Sequence, residues 1–134
     1  MTIREVRKAY LLARRLKLSG WWLLRDIERA ARECNGIGPE WAPAWMRWII
    51  DHLFPNLVIV AMIHDIRYFL GGTDGDRRCA DAEFLANGYT VAEQFHVWWL
   101  PGRYIAEWIV RRMHRALRLG GGKAWREAKH GAKV

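Results

Sequence analysis

The 134 residues are enough for one domain of ordinary size, and an apolar content of 51% suffices for a core. Two cysteines exclude a disulfide framework, no uninterrupted run of about 18 apolar residues offers a membrane span, and the charged N-terminus lacks the apolar stretch of a signal peptide. The formal charge of +8 is divided into net +6 over residues 1–32, −5 over 33–102 and +7 over 103–134, so basic ends suited to an anionic partner flank an acidic middle suited to a bound cation.

Residues 3–18 predict a basic amphipathic helix, with Ile3, Val6, Tyr10, Ala13 and Leu16 at helical spacing and Arg or Lys between them. Ser19-Gly20 breaks it. Residues 21–34 predict a second helix whose apolar set is Leu23, Leu24, Ile27, Ala30, Ala31 and Cys34. These N-terminal helices, within residues 1–33, either pack on a core or lie on a membrane, where Trp21 and Trp22 among cations suit the headgroup layer. Cys34-Asn35-Gly36-Ile37-Gly38-Pro39 marks an irregular loop. Trp41, Trp45 and Trp48 predict a short helix or lid over 40–53 and extend the candidate lipid interface.

Pro55-Asn56 opens a central helix over about 57–70, which Gly71-Gly72 ends. Thr73 caps the next helix, with Asp76 in the capping-box position. That helix is expected from about 74 to 86, with Asn87-Gly88 interrupting it and a further helix over 90–99. The last long helix covers 103–119, with Ile105, Trp108, Ile109, Met113, Ala116 and Leu117 on one face. Gly120 to Gly122 ends it, and 123–134 is expected to be a mobile tail. No run alternates with period two, so the chain is predicted to be a single all-α domain over 1–134. Cys34 and Cys79 are expected as buried thiols, with one bridge as the alternative.

The chemistry-bearing residues lie in the middle. His64 and Asp65 are successive on a helix and point about 100° apart, so they have separate tasks. His64 shares an inward face with Leu57, Val60, Ala61 and Tyr68. On the next helix Asp81 shares a face with Phe84, Leu85 and Gly88, whereas Asp76, Glu83 and Asn87 are expected in solvent. A short glycine turn makes the two helices antiparallel, so Asp81 can meet His64 with the Tyr68 hydroxyl close by. Such a pair can hold one imidazole tautomer and make the other nitrogen a general base. Ester hydrolysis also needs a group that polarises the carbonyl. Asp65 can anchor Ca²⁺, with backbone carbonyls of Cys34, Gly36 and Gly38 converging on it. His52, His96, His114 and His130 lack zinc-ligand spacing.

His64-Asp65-Ile66-Arg67-Tyr68 resembles the HDxxY signature of the phospholipase A(2) superfamily, and Cys79-Ala80-Asp81 matches the position of that family's second aspartate. The resemblance spans about 34–88 and is closer to the disulfide-poor viral and microbial branches. It implies that His64 activates water, Asp65 binds calcium, and Tyr68 bonds to Asp81. It also implies that the carbonyls of Cys34, Gly36 and Gly38 complete the metal site, with the Gly36 amide at the oxyanion. Arg67 stands where the family has a cysteine, and the Trp-rich segment 40–53 lengthens the spacing between loop and helix. The expected activity is calcium-dependent cleavage of the sn-2 ester of phospholipids at a membrane surface. The partner is then a phospholipid bilayer, and nucleic acid is not expected. The chain reads as made in the cytoplasm, acting at a membrane or delivered by a phage or virion.

Two other classes compete with this reading. One is a non-catalytic basic module that grips a membrane or nucleic acid through its ends, aromatic residues among cations being able to stack on bases. The other is an HD-type metal phosphohydrolase, suggested by Asp51-His52 together with His64-Asp65. Asp81 also has a plainer reading as an exposed ion pair with Arg78.

Overall fold

A computed structural model describes residues 2–34, 44–94, 102–123 and 125–126. Among these the secondary structure is entirely helical: α1 (Ile3–Arg15), a 3₁₀ turn (Trp21–Arg25), α2 (Ile27–Glu33), α3 (Ala44–Leu53), α4 (Leu57–Leu70), α5 (Asp74–Ala92) and α6 (Gly102–Gly120). Among the described residues no helix is long and apolar enough to cross a membrane.

The centre is α4, where Leu57, Ile59 to His64, Ile66 and Tyr68 are all buried. A helix apolar on nearly every side belongs in the middle of a core, and α4 is in contact with α2, the 3₁₀ turn, α3 and α5. Gly71 at φ +70° ends it, and the Thr73–Asp76 capping box starts α5. Contacts from His64 to Phe84 and from Tyr68 to Asp81 run in opposite senses along the two helices, as in an antiparallel pair.

The N-terminal segment differs from expectation in three ways. A Thr2–Glu5 capping box starts α1, and its buried residues are Val6, Ala9 and Ala13, while Ile3 is exposed. Small residues on that stripe let the helix approach the core closely. The break comes at Lys17 rather than at Ser19-Gly20. Lys17 adopts φ +55°, its N–H donates to Arg14 O, and Leu18 N–H donates to Ala13 O, which is a Schellman ending. The expected second helix is split, because Asp26 caps a fresh start at Ile27 by accepting from Arg29 N–H. Gly20 lies at φ +84°, with a would-be Cβ 2.8 Å from the Ile63 side chain, so this corner passes directly over α4.

The largest difference is in α5, which is continuous through Asn87-Gly88 to Ala92. Asn87 is buried, not solvated. Its side-chain carbonyl accepts from Ser19 N–H and its amide donates to Ser19 O, both at 2.8 Å. Gly88 is where α6 crosses, and a Cβ there would collide with Val110. Gly88→Ala is therefore expected to destabilise by about 1–2 kcal/mol, because overpacking exceeds the gain of about 1 kcal/mol in helix propensity. Adding Val110→Ala should recover part of the loss in urea-melt midpoint, and simple additivity of the two losses would refute the crossing contact.

In α6 the buried side chains are Ala106, Ile109, Val110, Met113 and Leu117, while Ile105 and Trp108 are exposed. The structure continues past the glycines: Trp125 is buried, and its ring meets Tyr68 edge-on at 5.1 Å. The tail expected to be mobile from residue 123 includes this buried Trp125, and residues 127–134 lie outside the described set. So do 35–43 and 95–101, which include the end of the expected 90–99 helix.

Candidate active site

The consecutive inward positions of α4 place His64 and Tyr68 one turn apart, with ring centroids at 4.2 Å. Phe84 of α5 closes on the imidazole edge at 5.4 Å. Asp81 lies opposite, fully buried. Its Oδ1 is 2.8 Å from His64 Nε2 and accepts the Tyr68 hydroxyl at 2.8 Å. The expected meeting of His64, Asp81 and Tyr68 is therefore present, reached through the phase of two helices and a three-residue turn.

Two arginines join the cluster that the sequence reading did not include. Arg118 of α6 donates from Nη1 to Asp81 Oδ2 at 2.6 Å. Arg77 donates to the Tyr68 hydroxyl at 3.3 Å and to the Leu117 and Arg118 carbonyls at 2.8 and 3.3 Å, and lies 3.9 Å from Asp81 Oδ2. The ion partners of Asp81 are thus Arg118 and Arg77, not Arg78, which is exposed. Arg77 also takes up the carbonyls left open where α6 ends. His114, about a turn before Arg118, is within electrostatic range of Asp81, Arg118 and His64, and burial holds its pKa below the ordinary value.

Burial alone pushes the Asp81 carboxyl upward, and it is the largest single influence. The bonds from His64, Tyr68 and Arg118 together outweigh it and hold the pKa below the ordinary carboxylate value. Burial raises the Tyr68 hydroxyl to about 12, so Tyr68 stays protonated and serves as a donor to Asp81. A depressed carboxylate stabilises the fold above its unfolded pKa of about 3.9, and that contribution disappears as pH falls through the folded value. Urea stability of the wild type is therefore expected to drop more steeply below about pH 4 than that of Asp81→Asn. Parallel pH profiles for the two would remove Asp81 from the acid response.

The residues expected to bind calcium are distributed differently. Asp65 is half-buried on α4. Cys34 ends α2, is buried, and directs its thiol to the Met62 carbonyl at 3.5 Å. Burial first, then the Asp65 charge, raises that thiol to about 12, so Cys34 lies within the field of Asp65. Gly36 and Gly38 are outside the described residues. Among the described residues no three His, Cys, Asp or Glu side chains are grouped to hold a metal ion. A site of one carboxylate and several carbonyls would not form such a group. The cysteines are both free, and the expectation of two buried thiols holds for Cys34 only, since Cys79 is exposed.

Arg67, between Asp65 and Tyr68, is bonded by Nε and Nη2 to the two oxygens of Glu83 at 3.1 and 2.9 Å. Ser19 Oγ donates to the same carboxylate at 2.7 Å, so Glu83 is engaged rather than free in solvent. A cavity of about 420 Å³ lies beside this ion pair, lined by Arg67, Leu70, Cys79, Glu83 and Trp125 among others, and His64 does not line it. Of the tryptophans expected at a lipid interface, Trp22, Trp45 and Trp48 are exposed, Trp21 is half-buried, and Trp41 is outside the described residues. His52 of α3 stacks on Trp48 at 4.6 Å, with its Nδ1 2.9 Å from the Trp48 carbonyl oxygen.

Fold and site together define an all-α domain with a buried His–Asp–Tyr cluster held by two arginines. Comparison with known proteins finds no family model, no curated protein and no solved structure that matches this chain.

Proposed function

We propose that the chain is a calcium-dependent hydrolase of the phospholipase A(2) type, acting on the sn-2 ester of phospholipids at a bilayer surface. One observation carries this reading: His64 Nε2 and the Tyr68 hydroxyl converge on a single oxygen of a fully buried carboxylate, both at 2.8 Å. With Asp81 holding a proton on Nε2, His64 presents Nδ1 as the base. A water then loses its proton to Nδ1 as its oxygen attacks the ester carbonyl. The same proton passes to the departing lysophospholipid oxygen as the acyl bond breaks, so His64 returns to its starting state. Tyr68 and Arg118 fix the carboxylate and, through it, the imidazole plane.

Asp65 lies within electrostatic range of Cys34, where α2 ends, so one carboxylate charge is available to a hard cation there. Asp65 and the carbonyls of Cys34, Gly36 and Gly38 would hold Ca²⁺, which when bound polarises the ester carbonyl, with the Gly36 amide beside it.

One observation favours a second reading, in which the cluster is structural and the chain is a non-catalytic binding module. Arg118, at 2.6 Å, already neutralises Asp81, which leaves that carboxylate less charge with which to stabilise an imidazolium. Fatty-acid release from mixed phospholipid vesicles separates the two. Release that needs Ca²⁺ and falls by at least tenfold in Asp65→Asn supports the hydrolase, and no release from folded wild type at millimolar Ca²⁺ sinks it.

A further inference from the structure

The N-terminal tryptophans, expected at a lipid contact, each carry a cation from within the fold. Trp21 meets the guanidinium groups of Arg14 and Arg25, at 5.7 and 5.9 Å from its ring, and packs against Tyr10. Trp22 lies under Arg67, which is itself tied to Glu83. Trp22 is still 48% exposed, but the larger exposed aromatic set is elsewhere. Trp45 of α3 and Trp108 of α6 stack on each other at 6.2 Å and are 50% and 40% exposed, and Trp48 is 57% exposed.

Trp108 belongs to a stripe. With 100° per residue, Tyr104, Trp108, Arg111, Arg112, Arg115 and Leu119 fall within about 100° of arc on α6. All six are exposed, Tyr104 at 71% and Leu119 at 80%. The opposite side of the helix carries the buried set. The only acid of α6 is Glu107, outside this arc and bonded to Arg103 at 3.1 Å. Among the described residues Arg111, Arg112 and Arg115 make no ion pair. Arg112 instead lies 5.1 Å over the Trp108 ring.

We infer that the α6 stripe, extended by Trp45 and Trp48, is the docking face for an anionic phospholipid bilayer. Its chemistry selects that occupant. Three cations that pair with no acid among the described residues match an anionic surface, and indole and phenol rings favour the headgroup layer. The aliphatic Leu119 and the Trp45–Trp108 pair, stacked on each other rather than open to a base, suit acyl chains better than nucleotides. A second copy would set arginine against arginine across a two-fold contact. The inference rests on the lipid reading above only for its choice of partner, and it is measured without turnover.

The test is co-sedimentation of the full chain in EDTA with vesicles of phosphatidylcholine alone or mixed with phosphatidylglycerol. Wild type should bind the mixed vesicles with a blue shift of tryptophan emission. Each basic residue near such a surface contributes roughly a factor of five. Arg111→Ser/Arg112→Ser/Arg115→Ser should therefore weaken binding roughly 100-fold, and the matching triple lysine variant should retain it. Trp45→Ala/Trp108→Ala should lose the blue shift. Arg4→Ser/Arg7→Ser/Lys8→Ser, with the same charge change on α1, should lose fivefold or less. Equal losses for the two serine triples would overturn the assignment in favour of diffuse charge. Tighter binding to a single-stranded oligonucleotide than to vesicles, or a dimer dissolved by the α6 triple, would overturn it as well. Circular dichroism confirms folding of each variant. Failure to hydrolyse lipid leaves this binding result intact, and loss of binding leaves hydrolysis of detergent-dispersed lipid to be judged separately.

Discussion

His64→Gln should lower calcium-dependent fatty-acid release by about 10²–10⁴, the usual worth of a general base. Glutamine is the informative replacement because its amide can still donate to Asp81 Oδ1 from a buried position, whereas it cannot accept a proton from water. Alanine would also remove the ring that fills the space between Tyr68 and Phe84, at 4.2 and 5.4 Å, and so would confuse stability with chemistry. The check is initial rate at saturating Ca²⁺, with the thermal melt recorded alongside. A glutamine variant within threefold of wild type would show that His64 is packing and that any release comes from another group.

Asp81→Asn should destabilise the chain by about 3 kcal/mol. Removing one partner from a buried ion pair typically costs about 3–5 kcal/mol. The lower end applies because the Arg118 side chain is 34% exposed and can regain water. Asparagine keeps one acceptor for His64 and Tyr68, but it turns an amide donor toward the Arg118 guanidinium. Adding Arg118→Leu should then restore part of the loss, since the unmatched charge is gone. A coupling of 1 kcal/mol or more in the double-mutant cycle, read from urea midpoints, is the expected outcome. Strict additivity would mean that Arg118 belongs to the surface and not to the site.

The parts legible in the sequence were those set by local rules. The all-helical class followed from the absence of period-two runs. The bounds of α4, the Gly71 ending and the Thr73–Asp76 box depend on residues within a turn or two of one another. Asp81 could be aimed at His64 because a three-residue link leaves two helices little freedom. What escaped was non-local. Arg118 looks like any other cation of a basic helix, and its contact with Asp81 spans 37 residues. A polar residue followed by glycine reads as a helix break, and nothing nearby shows that Asn87 reaches Ser19 or that Gly88 admits Val110. The phase of the α6 stripe is hidden for a related reason: Ile105 and Trp108 are apolar and so resemble core positions, although both are exposed.

The bonds between Asn87 and Ser19 bear on how the chain matures during synthesis. The N-terminal helices leave the ribosome before α4 and α5, yet Ser19 N–H and C=O find their protein partners on a residue 68 positions later. Until Asn87 emerges, that peptide must stay in water, and the Gly20 corner has no finished α4–α5 surface to close over. The first quarter of the chain is therefore completed by the middle, and a product halted before α5 is made would present its basic helices without the residue that fastens them.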